Sequence, residues 1–258
     1  MVFKSKRNVL RNQSNLGFTL IELLVVISII TLLLAIILPA LGKARQLANR
    51  IVCKSNLRQI AHAWEMYLDD NNGTFYQGVN ADVDYGGWKS MYVPVRPRPL
   101  NKYFSLTDIP ESETQAKPFR CPADVGGFLP AYSMYGTSYR TNHILIGPDQ
   151  IGWLPIKDEI NKRLQGLNLS SVANPSRLLL IGDYGWVDQW WPDPRWDLRL
   201  EWHGRCCSHN VAFLDCHVEF KKIPKGIYIT DDYTVLPFRE LWESARQIQE
   251  KVPCPLCD

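Results

Sequence analysis

The first 17 residues contain no aspartate or glutamate, and in the next 21, Phe18 to Leu38, only Thr19, Glu22, Ser28 and Thr31 are not apolar. With no acid to offset Lys4, Lys6, Arg7 and Arg11, the positive-inside rule places the N-terminus in the cytoplasm. Everything after Leu41 is then expected to be exported. The sequence also lacks a glycine-rich phosphate loop, a nucleophile elbow and a His-Glu metalloprotease motif, which excludes the enzyme classes those signatures mark. It has no internal repeat and no low-complexity tract, so it reads as neither a solenoid nor a linker.

What is present is a membrane-length apolar run. At about 1.5 Å per helical residue, Phe18 to Leu38 spans roughly 30 Å, one hydrocarbon core. An ordinary secretory signal has an apolar stretch of only about 7 to 15 residues before a small-residue cleavage site, for which "ALG" at Ala40 to Gly42 is a candidate, so the length argues against it. A plain anchor fits the length but gives Glu22 no purpose. A carboxylate at mid-membrane costs about 2.5 to 3.5 kcal/mol, less near a helix end, and such a residue usually has a partner.

The stretch "GFTLIE", Gly17 to Glu22, resembles the type IV prepilin signal. The resemblance implies cleavage by a prepilin peptidase between Gly17 and Phe18, and N-methylation of Phe18. It also implies pairing of the new Phe18 ammonium with Glu22 of a neighbouring subunit. Pro39 falls where pilin helices often kink. The implied partners are other pilin-like subunits through the N-terminal helix, the peptidase and an inner-membrane assembly platform. Removing the four leader bases from 29 leaves 25 against 26 acids, a net of −1, so no nucleic-acid partner is expected.

Beyond the membrane, Leu47, Ile51, Leu57, Ile60, Ala61, Trp64, Tyr67 and Leu68 recur mostly at three- and four-residue steps, which predicts an amphipathic helix. It is expected to stop near "DDNNG", Asp69 to Gly73; a calcium loop there lacks EF-hand spacing. The expected organisation is a leader over 1–17, a membrane and assembly helix over 18–41, an amphipathic helix over 42–73 and an exported head over 74–258. Within the head, "RLLLIGDY" (Arg177 to Tyr184) reads as a buried strand. "NVAFLDCHVEF" (Asn210 to Phe220) reads as two strands around a turn at Asp215 and Cys216, with Val211 and Phe213 sharing a face. Phe238 to Glu250 reads as a helix. The fold class is α+β, a long helix with a head built on an antiparallel sheet.

The resemblance extends to pseudopilin-like proteins that end in His, nine residues, then Asp-Gly-His. "CKSNLRQIAHAWEMY", "RPLNKYF", "FRCPAD", "SYRTN" and "NVAFLDCHVEF" are shared stations. Cys216 replaces the turn glycine, and Arg205 stands ten residues before Asp215, the nearest upstream histidines being His203 and His209. His217 matches the last histidine of the signature.

Seven cysteines in an exported chain suggest disulfides. The closing "CPLC" leaves three alternatives: Cys254 and Cys257 in stabilising disulfides, which the compartment favours, as half a zinc site completed by Cys206, Cys207, His203 or His209, or as a redox pair. Trp186, Trp190, Trp191, Trp196 and Trp202 cluster among Asp188, Asp193, Asp197 and Arg195. They fill a core or form a platform for a sugar or peptide. The same acids with Asp231 and Asp232 raise calcium, without assigned ligands, and otherwise no cofactor is expected. Three functions follow. The first is a non-enzymatic structural subunit of a type II secretion or type IV pilus-like filament, single-pass in the inner membrane. The second is a membrane-tethered adhesin or carbohydrate-binding module using residues 186–202. The third is a thiol hydrolase using Cys121 or Cys216 with His143 or His217.

Overall fold

Residues 19–78, 82–93, 98–106, 109–125, 129–146, 167–190 and 202–251 are described by a computed structural model. The chain divides into two compact units, Met1–Ala44 and Arg45–Asp258. A single helix, α1, runs Leu20–Asp70, includes Pro39, and is long and apolar enough near its start to cross a membrane. In the first unit every large apolar side chain from Leu20 to Leu41 is exposed.

In the second unit α1 changes character. Cys53, Asn56, Leu57, Ile60, Ala61, Trp64 and Leu68 are buried, a stripe at three- and four-residue steps. Leu47 and Ile51, expected on that stripe, are 48% and 58% exposed. The row through them continues to the polar positions Lys54, Ser55 and Arg58, whereas the buried row starts at Cys53. The helix stops where expected: Asn72 and Gly73 adopt φ of 53° and 75°, and the Gly73 N–H donates to the Leu68 carbonyl at 2.6 Å.

Four antiparallel strands follow in sheet order β1 (Tyr139–Thr141), β2 (Leu179–Asp183), β3 (Ser208–Phe213) and β4 (Val218–Lys222). The β2 to β3 register slips between Leu179 and Ile181, while β3 pairs regularly with β4, from Ser208 opposite Lys222 to Ala212 opposite Val218. Val211 and Phe213 stand two apart in β3, and all six residues of that strand are buried, so both of its faces are covered. Sheet residues and the buried stripe of α1 share one core, which includes Leu57, Ile60, Trp64, Leu179, Ile181, Val211 and Phe213. Short helices α2 (Ala131–Tyr135) and α3 (His143–Ile146) flank β1, and α4 (Glu240–Ile248), which buries Leu241 and Ala245, is the expected C-terminal helix.

Much of this unit has no regular ladder, so side chains satisfy the backbone instead. Asn56 donates through Nδ2 to the Arg120 carbonyl (2.9 Å) and the Tyr139 hydroxyl (3.1 Å). Asp124 accepts from the N–H groups of Ala131 and Tyr132, at the start of α2, and from Ser138 Oγ. Asn142 Nδ2 donates to the carbonyls of Leu179 and Val235. Buried Arg98 donates to the carbonyls of Val83, Gly86, Val93 and Tyr135. Each of these residues lies in or beside a shared station, and Cys53 is joined to Cys121 by a disulfide that ties two stations together.

Candidate assembly site

In the first unit the polar side chains of the apolar run bond to their own helix. Thr19 is the N-cap and Glu22 the third helical residue, and together they form a reciprocal capping box. Thr19 N–H and Oγ1 donate to Glu22 Oε2 at 2.9 and 2.7 Å, while Glu22 N–H donates to Thr19 Oγ1 at 3.2 Å. Ser28 Oγ donates to the Leu24 carbonyl at 2.7 Å, and Thr31 Oγ1 to the Ile27 carbonyl. A negative side chain in the first turn also complements the helix dipole. Glu22 therefore has a purpose within its own chain, one that a plain anchor would share, and T-x-x-E is its visible sequence signal. Its Oε1 makes no hydrogen bond among the described residues, and a carboxylate has lone pairs to spare. Gly17 and Phe18 lie outside the described residues.

The head brings together few of its predicted site residues. At the β3–β4 turn Cys216 takes φ of 68°, the conformation a glycine would supply. The turn is tight: Cys216 N–H donates to the Phe213 carbonyl at 3.0 Å, and Asp215 accepts from both the backbone and the ring of His217. The His217 ring stacks on Phe213 at 4.0 Å between centroids. Cys216 donates to Glu65 Oε2 at 3.7 Å, and burial, helped by that carboxylate, pushes its thiol up to about 12. A thiol so firmly protonated is a poor nucleophile. Cys121, the other candidate nucleophile, is bound in the disulfide.

Trp186 is fully buried and donates through Nε1 to the Arg140 carbonyl at 2.7 Å, so its ring offers no face to a ligand. The strand makes room for it at Gly182, where a Cβ would lie 2.7 Å from Val211 Cγ1 and 3.0 Å from Trp186 Cδ1. Trp202 is half-buried against the core, Trp190 ends the 3-10 turn Tyr184–Trp190, and Trp191 and Trp196 lie outside the described residues. Asp188 bonds to Arg140, Asp231 to Arg246, and Asp232 stands 3.5 Å from Lys221, so these acids answer cations of the chain itself. Cys254 and Cys257 also lie outside the described residues; Cys206 is disulfide-bonded and offers no thiolate, and Cys207 is buried with φ of 52°.

Beneath the sheet edge lies an ion cluster that the sequence did not disclose. Asp82 meets both Arg140 and His143 at 2.9 Å, and Arg140 reaches Asp188 at 2.9 Å. Burial alone would raise the Asp82 carboxyl, but His143 and Arg140 outweigh it and hold that group well below the usual carboxylate range. His143 is thereby committed to structure.

Residues 12–38 match the family model of the prokaryotic N-terminal methylation motif. The chain is also 50% identical over 90 residues to PilA4, a type IV wide pilus major component of Thermus thermophilus, a match covering 35% of this chain and 62% of that protein. The chain is type IV prepilin-like. The chain spans less than two thirds of that relative's length, and no solved structure matches it. In this prepilin-like chain the matched segment takes in the capping box and the whole apolar run, whose described apolar side chains, Leu20 to Leu38, are exposed.

Proposed function

We propose that the chain is a structural subunit of a pilus-type filament, either type IV pilus-like or the pseudopilin filament of type II secretion. Prepilin peptidase removes residues 1–17 in the cytoplasm and Phe18 becomes the methylated first residue, with the head exported. The observation that carries this reading is the pairing of a methylation motif over 12–38 with a helix whose apolar residues from Leu20 to Leu41 are all exposed. Such a surface needs lipid or the helices of other subunits around it. Glu22 Oε2 caps its own helix, which leaves Oε1 to take a neighbour's Phe18 ammonium. Other subunits, the peptidase and an inner-membrane platform are the partners. The protein is not an enzyme, in keeping with its protonated Cys216 and bridged Cys121. The adhesin reading loses Trp186 to the core.

Mass spectrometry of protein from native membranes tests the processing: a methylated Phe18 start is expected, and an intact leader in a peptidase-positive cell refutes it. For assembly, Glu22→Gln retains a capping oxygen but loses the charge. It is expected to insert normally and to lose crosslinking between subunits; unchanged crosslinking would remove the ion pair from the proposal.

A further inference from the structure

Four side chains with metal-ligating atoms converge inside the head: Cys53 of α1, Cys121, Asp183 at the end of β2 and His203. All four are buried, and their ligand atoms lie within 4.8 Å of one another. We propose that, when the Cys53–Cys121 disulfide is reduced, these residues form a tetrahedral site for a thiophilic divalent cation such as Zn²⁺, so that disulfide and metal are alternative staples at one place.

Geometry is the first argument. With bonds of about 2.0 to 2.3 Å from zinc to its ligands, neighbouring ligand atoms in a tetrahedron stand about 3.3 to 3.8 Å apart. Cys121 Sγ is 3.6 Å from His203 Nε2, and His203 Nε2 is 3.2 Å from Asp183 Oδ2. Two edges of the tetrahedron are therefore already close to length. Reduction frees the two sulfurs to separate to such an edge.

Burial also favours the site. The two side chains are each only 2% exposed, and Asp183 Oδ1 has no hydrogen-bond partner among the described residues, so the carboxylate keeps lone pairs for a metal beside Oδ2. Asp183 is oriented by Asn210, whose backbone N–H (2.7 Å) and Nδ2 (3.1 Å) both donate to its Oδ2. Such outer bonds orient a ligand and temper its charge. A site of two thiolates, one carboxylate and a neutral imidazole around a +2 ion leaves a net charge of −1, against which these donors point.

The chemistry balances. A phosphine or dithiol reductant delivers two electrons to the S–S bond, which takes up two protons to give two thiols, and the reductant is oxidised by two electrons. Metal binding then displaces both thiol protons to solvent as two S–metal bonds form.

The test uses the full-length chain in detergent with Cys206, Cys207, Cys216, Cys254 and Cys257 replaced by serine, leaving only Cys53 and Cys121. After anaerobic reduction with a phosphine it is titrated with Co²⁺. One equivalent per chain is expected to bind, with thiolate-to-cobalt charge-transfer and tetrahedral visible bands that Zn²⁺ abolishes and reoxidation removes. His203→Gln in this background should weaken binding at least about tenfold. A reduced protein that keeps its circular dichroism yet shows no such bands overturns the proposal, as do bands indifferent to His203→Gln. Should the five-serine variant fail to fold, the wild-type chain serves in its place. Zn²⁺ is expected to slow alkylation of Cys53 and Cys121 in the reduced protein, and equal rates with and without Zn²⁺ would refute the site.

Discussion

The two units satisfy their polar groups in opposite ways. In the first, each side-chain bond of the apolar run closes within four residues: Thr19 with Glu22, Ser28 with Leu24, Thr31 with Ile27. In the second, the decisive bonds join distant stretches, such as Asn56 with Arg120 and Asn142 with Val235. The first unit shows its apolar side chains, the second hides most of them. A segment whose hydroxyls bond to its own helix can enter a bilayer at little polar cost, without help from the rest of the chain. A region that relies on long-range bonds has to fold as a whole.

If that contrast is right, the largest effect belongs to the mostly enclosed ion cluster of the head, where the Asp82 and Arg140 side chains keep 12% and 13% exposure. Asp82→Asn should lower the stability of the head by about 3 kcal/mol, the low end of what breaking a buried ion pair costs, without affecting membrane insertion. Denaturant melts of the full chain in detergent measure the loss. Because the Asp82 pKa is depressed on folding, its contribution is complete above the ordinary carboxyl value of 3.8 and is lost as pH falls below it. The wild-type acid limb should therefore be steeper than that of the variant.

Next comes a pair on one helix. Leu57→Ala should cost about 2 to 5 kcal/mol because the side chain is fully buried, whereas Ile51→Ala, on the same helix and 58% exposed, should change the same melts by no more than about 0.5 kcal/mol. Equal effects would mean that the buried row is misplaced. The smallest effect is local to the first unit. Thr19→Ala should weaken the helix start by about 1 kcal/mol, read as faster amide exchange at Leu20 to Leu23 in micelles, and leave the melting of the head unchanged.

The sequence disclosed most where one physical requirement dominates. Membrane length and the T-x-x-E signal are both plain in Thr19 to Leu38, although the capping signal and the prepilin signal overlap at Glu22, so that the neighbouring-subunit partner implied by the prepilin resemblance masks the partner at Thr19. The helix stop and strands β2 to β4 were legible from their turn residues and short apolar stretches. β1 was not, because three residues carry no period. In β3 the two-residue period places Val211 with Phe213 but does not show that the other face is covered as well, since Val211 and Ala212 are both fully buried. The Cys53–Cys121 bridge and the meeting of Asp183 with His203 depend on contacts across 68 and 20 residues of chain, which spacing alone does not specify.

Arg98 has a consequence for how long the folded head lasts. Its acceptors, the carbonyls of Val83, Gly86, Val93 and Tyr135, come together only after the loop segments around them have closed. A bond that needs every strap in place adds little to a half-formed barrier state, so it acts on escape rather than on arrival. Stopped-flow traces of Arg98→Met should show unfolding quickened while the refolding limb hardly moves, and a slowed refolding limb would place Arg98 in the nucleus instead. For a head exported once, as proposed above, and then required to persist, the guanidinium is a latch on time.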